Sequence, residues 1–302
     1  MASSKEAEGL DTLVTEARRA DTDYASRSTK DLVGLMNEED ASVPAAIAAV
    51  ADELTAAIDA IVARLAAGGR LVYVGAGSSG RIAELDAEEC EGTFSTGPGQ
   101  VVALVAGARL SSAEREAAED DAAAGRLAVE ELAVAAADAV VGVSASGRTP
   151  YALAALEAAA EAGALTVALT AVEGSALAGT ADHDLAVVVG AEFVSGSTRL
   201  KAGTAQKLVL NTISTVTMIR LGKTYGDLMV DVRSSSAKLA ARARRVVQLA
   251  TGVSDDEAER ALAEADGNAK VAVVSLLAGV DTQAARERLE RASGHVTAAL
   301  EQ

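Results

Sequence analysis

Two segments of this chain bring together the residue types that hold an anion. Leu71–Arg81 reads LVYVGAGSSGR and Ala139–Arg148 reads AVVGVSASGR; each is an apolar, largely β-branched run ending in glycine, serine and an arginine. Such a run reads as a buried strand, and the Gly/Ser turn after it as a loop that opens a helix. Free backbone N–H groups at a helix N-terminus, the positive end of the helix dipole and nearby hydroxyls together suit a phosphate or a carboxylate. Two such loops point to one ligand held at two places, or to two phosphates. The candidate ligands are the backbones of Gly77, Gly80 and Gly147 and the hydroxyls of Ser78, Ser79, Ser144, Ser146 and Thr149. Arg81, Arg148, Arg199, Lys201 and Lys207 lie in or beside Gly/Ser-rich loops and are the candidate sources of local positive charge.

Gly75, Gly77 and Gly80 also satisfy G-x-G-x-x-G, the dinucleotide fingerprint, between a strand and a helix. That fingerprint expects an acidic residue at the end of the next strand to bind the ribose hydroxyls. Here the next strand, VVALVA, runs into Gly107, Ala108 and Arg109 with no acid. Arg109 leaves a phosphorylated ribose open, but the serines favour a phosphosugar over a dinucleotide. The bland alternative, glycine turns capped by serine, applies better to one loop than to both.

The elements that must position these loops alternate. Val43 to Ala67 carries apolar residues at helical spacing and ends at Gly68-Gly69; strands are expected at Leu71, Val101–Ala106, Ala139–Val143, Leu165–Thr170 and Leu185–Val189, with Ala-rich helices between most of them. Strand and helix in alternation predict an α/β three-layer sandwich, a five-stranded parallel sheet with right-handed crossovers and helices on both faces. Ligands of such sheets bind beyond the carboxyl ends of the strands, where both loops fall. Glu192, Ser197, Thr198 and Lys201, after the fifth strand, belong to the same edge. A long apolar helix, Leu208 to Ile219, suits the core or a subunit interface. From Ser254 to about Leu300 a small three-helix bundle is expected, opened by the capping-box pair Ser254 and Glu257. The domain reading is an N-terminal helical segment (1–55), a phosphosugar-binding domain (56–222), a helical connector (223–252) and the C-terminal bundle (253–302).

Whole-chain numbers narrow the function. Of 302 residues 50% are hydrophobic but only 2% aromatic, so Ala, Val and Leu must fill the core. With 27 Lys and Arg against 44 Asp and Glu the formal charge is −17, which opposes non-specific binding to nucleic acid or an anionic membrane. Cys90 is the single cysteine, so no intrachain disulfide is possible and a cytoplasmic location is expected. No signal-peptide core or membrane-spanning apolar run is read. His183 and His295 are isolated, so no metal site is expected.

The two loops, taken with Leu85-Asp86-Ala87-Glu88-Glu89-Cys90, Ser146–Tyr151, GSTRLKAGTAQKLVLN (Gly196–Asn211) and KTYGDLMVDV (Lys223–Val232), closely resemble the N-acetylmuramic acid 6-phosphate etherases of the sugar isomerase (SIS) superfamily, relatives of the glucokinase regulatory protein. The resemblance begins near Thr15-Glu16, covers nearly the whole chain, and is most specific in Gly196–Asn211. It implies a lyase without cofactor or metal that cleaves the lactyl ether of N-acetylmuramic acid 6-phosphate, giving N-acetylglucosamine 6-phosphate and D-lactate. It further implies catalytic glutamates at Glu89 and Glu119, and substrate contacts at Gly77, Ser78, Ser79, Gly80, Ser144, Ser146, Gly147, Arg148, Thr149, Glu192, Ser197, Thr198 and Lys201. A homodimer with sites near the subunit interface is expected, and the C-terminal bundle resembles a ubiquitin-associated module in shape. The chain departs from the family pattern at Glu88, where a serine is usual, at Gly92, where a proline is usual, and at Arg19, where an asparagine is usual. From the residues alone, Glu89 is one of five acids between Glu84 and Glu91, and Glu119 one of several in AEREAAEDD; neither stands out. A phosphosugar aldose–ketose isomerase and a non-catalytic sugar-phosphate sensor are the alternatives.

Overall fold

The computed structural model describes residues 13–20, 23–108, 110–232 and 237–302. Arg109, weighed above for a phosphorylated ribose, lies outside them. Helices α1 (Thr29–Asp40), α2 (Val43–Ala48) and α3 (Ala51–Ala66) lead into β1 (Leu71–Gly75). The chain continues through α4 (Gly77–Phe94), β2 (Val101–Val105), α5 (Ser112–Ala118), α6 (Ala122–Glu131), β3 (Ala139–Val143), α7 (Pro150–Glu161), β4 (Leu165–Thr170), β5 (His183–Ala186) and α8 (Lys201–Arg220). A two-stranded ribbon of β6 (Thr224–Tyr225) and β7 (Leu228–Met229) is followed by α9 (Ala237–Thr251), α10 (Asp255–Glu264), α11 (Ala269–Ala278), α12 (Thr282–Arg291) and α13 (Val296–Leu300).

The fold is the α/β sandwich expected. All five strands of the main sheet pair in parallel, in the order β2-β1-β3-β4-β5. The three inner strands β1, β3 and β4 are buried throughout, which is why they read as unbroken apolar runs; the edge strands β2 and β5 are only partly buried. Val72, Val74, Val140 and Ala168 pack with α7 residues such as Tyr151, Ala155 and Leu156 on one face. On the other face the Tyr73 hydroxyl donates to Asp86 of α4 (2.8 Å), and Asn211 of α8 donates to the same carboxylate. Small residues let backbones approach closely: a Cβ on Gly125 of α6 would lie 2.1 Å from the carbonyl oxygen of Tyr151 in α7.

Three local expectations change. The predicted helix Val43–Ala67 is two helices, because Val50 leaves the helical region at φ −111° and ψ 24°; an apolar period continues across such a break and does not reveal it. The fifth strand spans His183–Ala186 rather than Leu185–Val189, since the ladder ends where Ala186 faces Thr170, the last residue of β4. Val187 and Val189 are nonetheless buried, which explains the apolar run. Between Ser254 and Leu300 there are four helices, a short α13 following the three that were expected.

By contact density the chain forms two compact units, one of residues up to Ala87 plus Gln100–Ile213, the other of Glu88–Gly99 plus Ser214–Gln302. The first holds the parallel sheet. The second has its own core, in which Val246, Val247, Leu262, Val273, Val274 and Leu289 are buried. Its α10 starts with the expected capping box, where the Ser254 hydroxyl accepts from the Glu257 N–H and the Glu257 carboxylate from the Ser254 N–H.

The entry ends of β1 and β3 are joined by an ion pair between the partly exposed Arg70 and the buried Asp138. Arg70 donates from N and Nε to Asp138 Oδ1 (2.9 and 3.1 Å) and from Nη2 to Oδ2 (2.7 Å), while Ala135 N also donates to Oδ2. Burial alone would raise the Asp138 carboxyl, but the Arg70 and backbone donors hold it below the usual aspartate range. Removing the Asp138 carboxylate takes the acceptor from the Arg70 and Ala135 N–H groups and the ion-pair partner from Arg70, so Asp138→Ala is expected to cost about 2 kcal/mol in a denaturant titration. A depressed folded-state value means the wild-type stabilisation is present above the unfolded aspartate pKa of about 3.9 and fades as pH falls below it. The difference between wild type and Asp138→Ala should shrink accordingly in acid.

Candidate active site

The chain leaves β1 toward β2 on one side, while β3 lies on the other side of β1 and leads away to β4. The strand order therefore reverses between β1 and β3, and a crevice opens beyond their carboxyl ends. Register places Gly75, the last residue of β1, opposite Val143, the last of β3, so the two Gly/Ser loops start at the same height.

After β1 the chain turns directly into α4. A Cβ on Gly75 would lie 3.0 Å from Gly80 Cα, and one on Gly80 would lie 2.8 Å from Gly75 O, so this glycine pair seats the first turn of α4 on the strand end. Gly77 adopts φ +54° and carries the Glu119 carboxylate against its Cα face, where a Cβ would meet Oε1 at 2.5 Å. Ser79 donates to Gln206 Oε1 (2.9 Å), and the Ser78 hydroxyl accepts from Arg81 (3.2 Å). In the second loop Ser144 and Thr149 share a hydroxyl hydrogen bond (2.8 Å), Gly147 N donates to Ser144 Oγ (3.1 Å), and Arg148 N donates to Ser146 Oγ (3.3 Å). Gly147 takes φ +62° against Ser175.

These loops enclose a pocket of about 360 Å³ lined by Ala76, Gly77, Ser78 and Ser79, by Ser144, Ala145, Ser146 and Thr149, by Glu119 and Thr198, and by Leu13, Thr15 and Glu16. All five predicted hydroxyl residues are therefore brought together. Among the described residues the lining contains two carboxylates and neither Lys nor Arg. Anion-holding capacity rests on neutral donors: the opening N–H groups of α4, unpaired within the helix, and the hydroxyls. Burial pushes the Glu119 carboxyl above the usual glutamate range, Asp120 and Glu116 push it further by repulsion, and Arg81 opposes them. A half-buried carboxyl whose pKa is raised by burial, beside an anion cradle, is a candidate for proton transfer.

Other predicted residues lie elsewhere. Gly80 is a packing residue and Gly147 a turn residue. Arg148 is exposed and lines a neighbouring depression with Leu13, Val14, Val172, Glu173 and Val188. Glu192 is fully buried and accepts from the N–H groups of Lys201 and Ala202 (2.9 and 3.0 Å), capping the start of α8. Lys201 is buried too, and its ammonium pairs with Glu39 (2.8 Å). Glu192 and Lys201 thus brace the loop that carries Thr198, and Ser197 is half-buried within it. Arg199 and Lys207 are exposed. Glu89 is exposed, twelve residues beyond Gly77 in α4, in the Glu88–Gly99 segment that clusters with the second unit; Glu88 beside it is exposed as well. His183 opens β5 and His295 precedes α13. Leu13, Thr15 and Glu16 join the lining from far away in sequence, and no local pattern ties them to the loops.

Residues 53–160 match the family model of the glucokinase regulatory protein N-terminal SIS domain, and residues 122–215 that of the SIS domain. A solved phosphoheptose isomerase from Francisella tularensis superposes with a TM-score of 0.52 at 21% identity, covering 64% of this chain and 100% of that one, a likeness of fold. The N-acetylmuramic acid 6-phosphate etherase of Streptomyces coelicolor is 56% identical over 96% of this chain and 94% of its own length; that of Rubrobacter xylanophilus is 57% identical over 97% of each. The chain belongs to the N-acetylmuramic acid 6-phosphate etherase family. In this etherase-family chain, two glycines of the dinucleotide-like pattern serve helix seating and the third makes room for Glu119.

A raised folded-state pKa means that Glu119 favours the fold while protonated and withdraws that contribution as pH rises through its folded value. Glu119→Gln keeps the shape without the charge. Its melting temperature is expected to exceed that of wild type at pH 7 and to converge with it below pH of about 4, which a pH series of thermal melts would measure.

Proposed function

We propose that the protein cleaves the D-lactyl ether of N-acetylmuramic acid 6-phosphate, releasing D-lactate and N-acetylglucosamine 6-phosphate. The observation that carries this reading is near full-length identity above one half to enzymes bearing that name. The pocket supports it: a dianionic phosphate fits the donors of Ser78, Ser79, Ser144, Ser146 and Thr149, and a proton-transfer group, Glu119, stands beside them.

In the reaction proposed, the sugar is bound in its open-chain form, whose aldehyde acidifies the hydrogen on the adjacent carbon C2. Glu119, ionised, removes that proton; the electron pair forms the C2–C3 double bond, and the C3–O bond to lactate breaks. The departing oxygen takes a proton from a second acid. Water then adds across the double bond, hydroxyl to C3 and proton to C2. The net change consumes one water and needs no oxidant or reductant. Each carboxyl acts once as base and once as acid, for which a pKa near the working pH is best. The second acid in this reading is Glu89, supported by the family resemblance of Asp86–Cys90. Cytoplasmic action on a phosphorylated amino sugar and a homodimer with sites near the interface complete the proposal. The partly exposed Leu208 and Ile219 on α8 are the apolar residues that support the dimer.

The test is incubation with N-acetylmuramic acid 6-phosphate and enzymatic measurement of D-lactate. Release above a protein-free blank is expected. No release, with fructose 6-phosphate formed from glucose 6-phosphate, would replace the etherase by an isomerase; binding without turnover of either would leave a sensor. Glu119→Gln and Glu89→Ala are each expected to lower kcat by about 10²- to 10⁴-fold while still binding product. Retained turnover in either variant would remove that residue from the mechanism. Sedimentation equilibrium should give twice the chain mass; an active monomer would overturn the dimer.

A further inference from the structure

Thr15 is fully buried, yet its Oγ1 has no hydrogen-bond partner among the described residues. Buried hydroxyls without partners are rare in folded chains because desolvating one unpaired is unfavourable. This one belongs to a residue that lines the sugar pocket, and the next residue, Glu16, lines it too.

The segment carrying them is fixed to the pocket wall. Gly196 N donates to Thr15 O (3.0 Å) and Ser195 Oγ donates to Glu16 O (2.7 Å). Gly196, at φ +74°, leaves room for the Glu16 carboxylate, which sits 2.5 Å from where a Cβ would project. Further along, Arg19 forms an ion pair with Glu39, the same carboxylate that pairs with Lys201, and its guanidinium lies 5.9 Å from the Phe193 ring centroid. The Tyr24 ring stacks on Phe193 with centroids 4.5 Å apart, and its hydroxyl donates to Phe193 O (2.8 Å). Arg19, which departs from the family pattern, is thus used as an anchor. The anchoring holds residues 13–17 as a strap along the pocket, with two side chains whose polar groups the protein itself does not fully use.

We infer that Thr15 and Glu16 are positioning residues that contact the phosphosugar directly: the Thr15 hydroxyl bonds a sugar oxygen, and the Glu16 carboxylate accepts from a sugar hydroxyl or the acetamido N–H. The charge arrangement favours that division. A carboxylate accepts and does not donate, so it repels the phosphate and suits the neutral, donor-rich part of the ligand. The phosphate then goes to the N–H and hydroxyl donors of the two Gly/Ser loops. The inference rests on the phosphosugar reading of the pocket and does not require turnover.

The experiment measures N-acetylglucosamine 6-phosphate binding by calorimetry, and D-lactate release, for wild type, Thr15→Val, Thr15→Ser and Glu16→Gln. Loss of one ligand hydrogen bond should raise Kd and KM about 5- to 10-fold in Thr15→Val, with kcat nearly unchanged. Thr15→Ser keeps the hydroxyl and should bind like wild type, which a purely packing role for Thr15 would not produce. Glu16→Gln should weaken binding by a similar factor while its melting temperature stays that of wild type. If Thr15→Val and Glu16→Gln both bind within about twofold of wild type, the inference is wrong. Should Thr15→Val fail to fold, Glu16→Gln alone decides. Wild type that binds but releases no lactate would end the etherase reading and leave the strap inference to be judged on the binding data. Wild type that fails to bind would overturn the strap inference itself.

Discussion

The Arg70–Asp138 pair governs more of the sheet-bearing unit than its size suggests. It ties together the residues immediately before β1 and β3, in the register in which Gly75 ends level with Val143. Because the two strands are of equal length and parallel, that register is transmitted to their far ends. Both Gly/Ser loops emerge there at one height and face one ligand volume. A slip of one residue would carry one loop past the other and turn every side chain of the strand to the opposite face. The pair is neutral as a unit and satisfied on several sides, which is the condition under which the buried Asp138 carboxylate is tolerable.

At the other end of those strands the electrostatic logic is reversed. The clamp satisfies its charges, whereas the pocket leaves Glu119 half-desolvated among acidic neighbours with only Arg81 in opposition. The carboxylate lies against Gly77, where a side chain would collide with it, and Gly77 itself takes a left-handed conformation at the helix start. Loop backbone, carboxylate and helix terminus are thus adjusted to one another, and substitutions at any of them should affect the others.

How far the sequence could be read depended on the range of the interactions. β1, β3 and β4 are buried on both faces and appear as β-branched runs, so they were recognisable directly, and the layered α/β architecture followed from their alternation with helices. The hydroxyl loops were found for the same reason, since both lie next to those strands. Glu192 and Lys201 follow the fifth strand in the sequence, but which way their side chains turn depends on a helix cap and on Glu39, more than 150 residues away. β5 was displaced because burial, which reads as strand, continues past the last ladder pair. Thr15 and Glu16 reach the pocket through contacts with Ser195 and Gly196, and no periodicity carries such information. Glu119 could be separated from its acidic neighbours only by three-dimensional burial.

Among the described residues, the hydrogen-bond donors that line the pocket are backbone N–H groups and alcohols, none of which gains or loses a proton in the physiological range. A cradle of that kind does not switch off as the medium acidifies or turns alkaline. Any pH response of ligand capture would therefore originate in the second ionisation of the phosphate monoester, near pH of about 6, and in the carboxyls alongside it. If the proposed division holds, binding and proton transfer fall to chemically separate sets of atoms, and a titration of affinity and a titration of turnover would trace different curves.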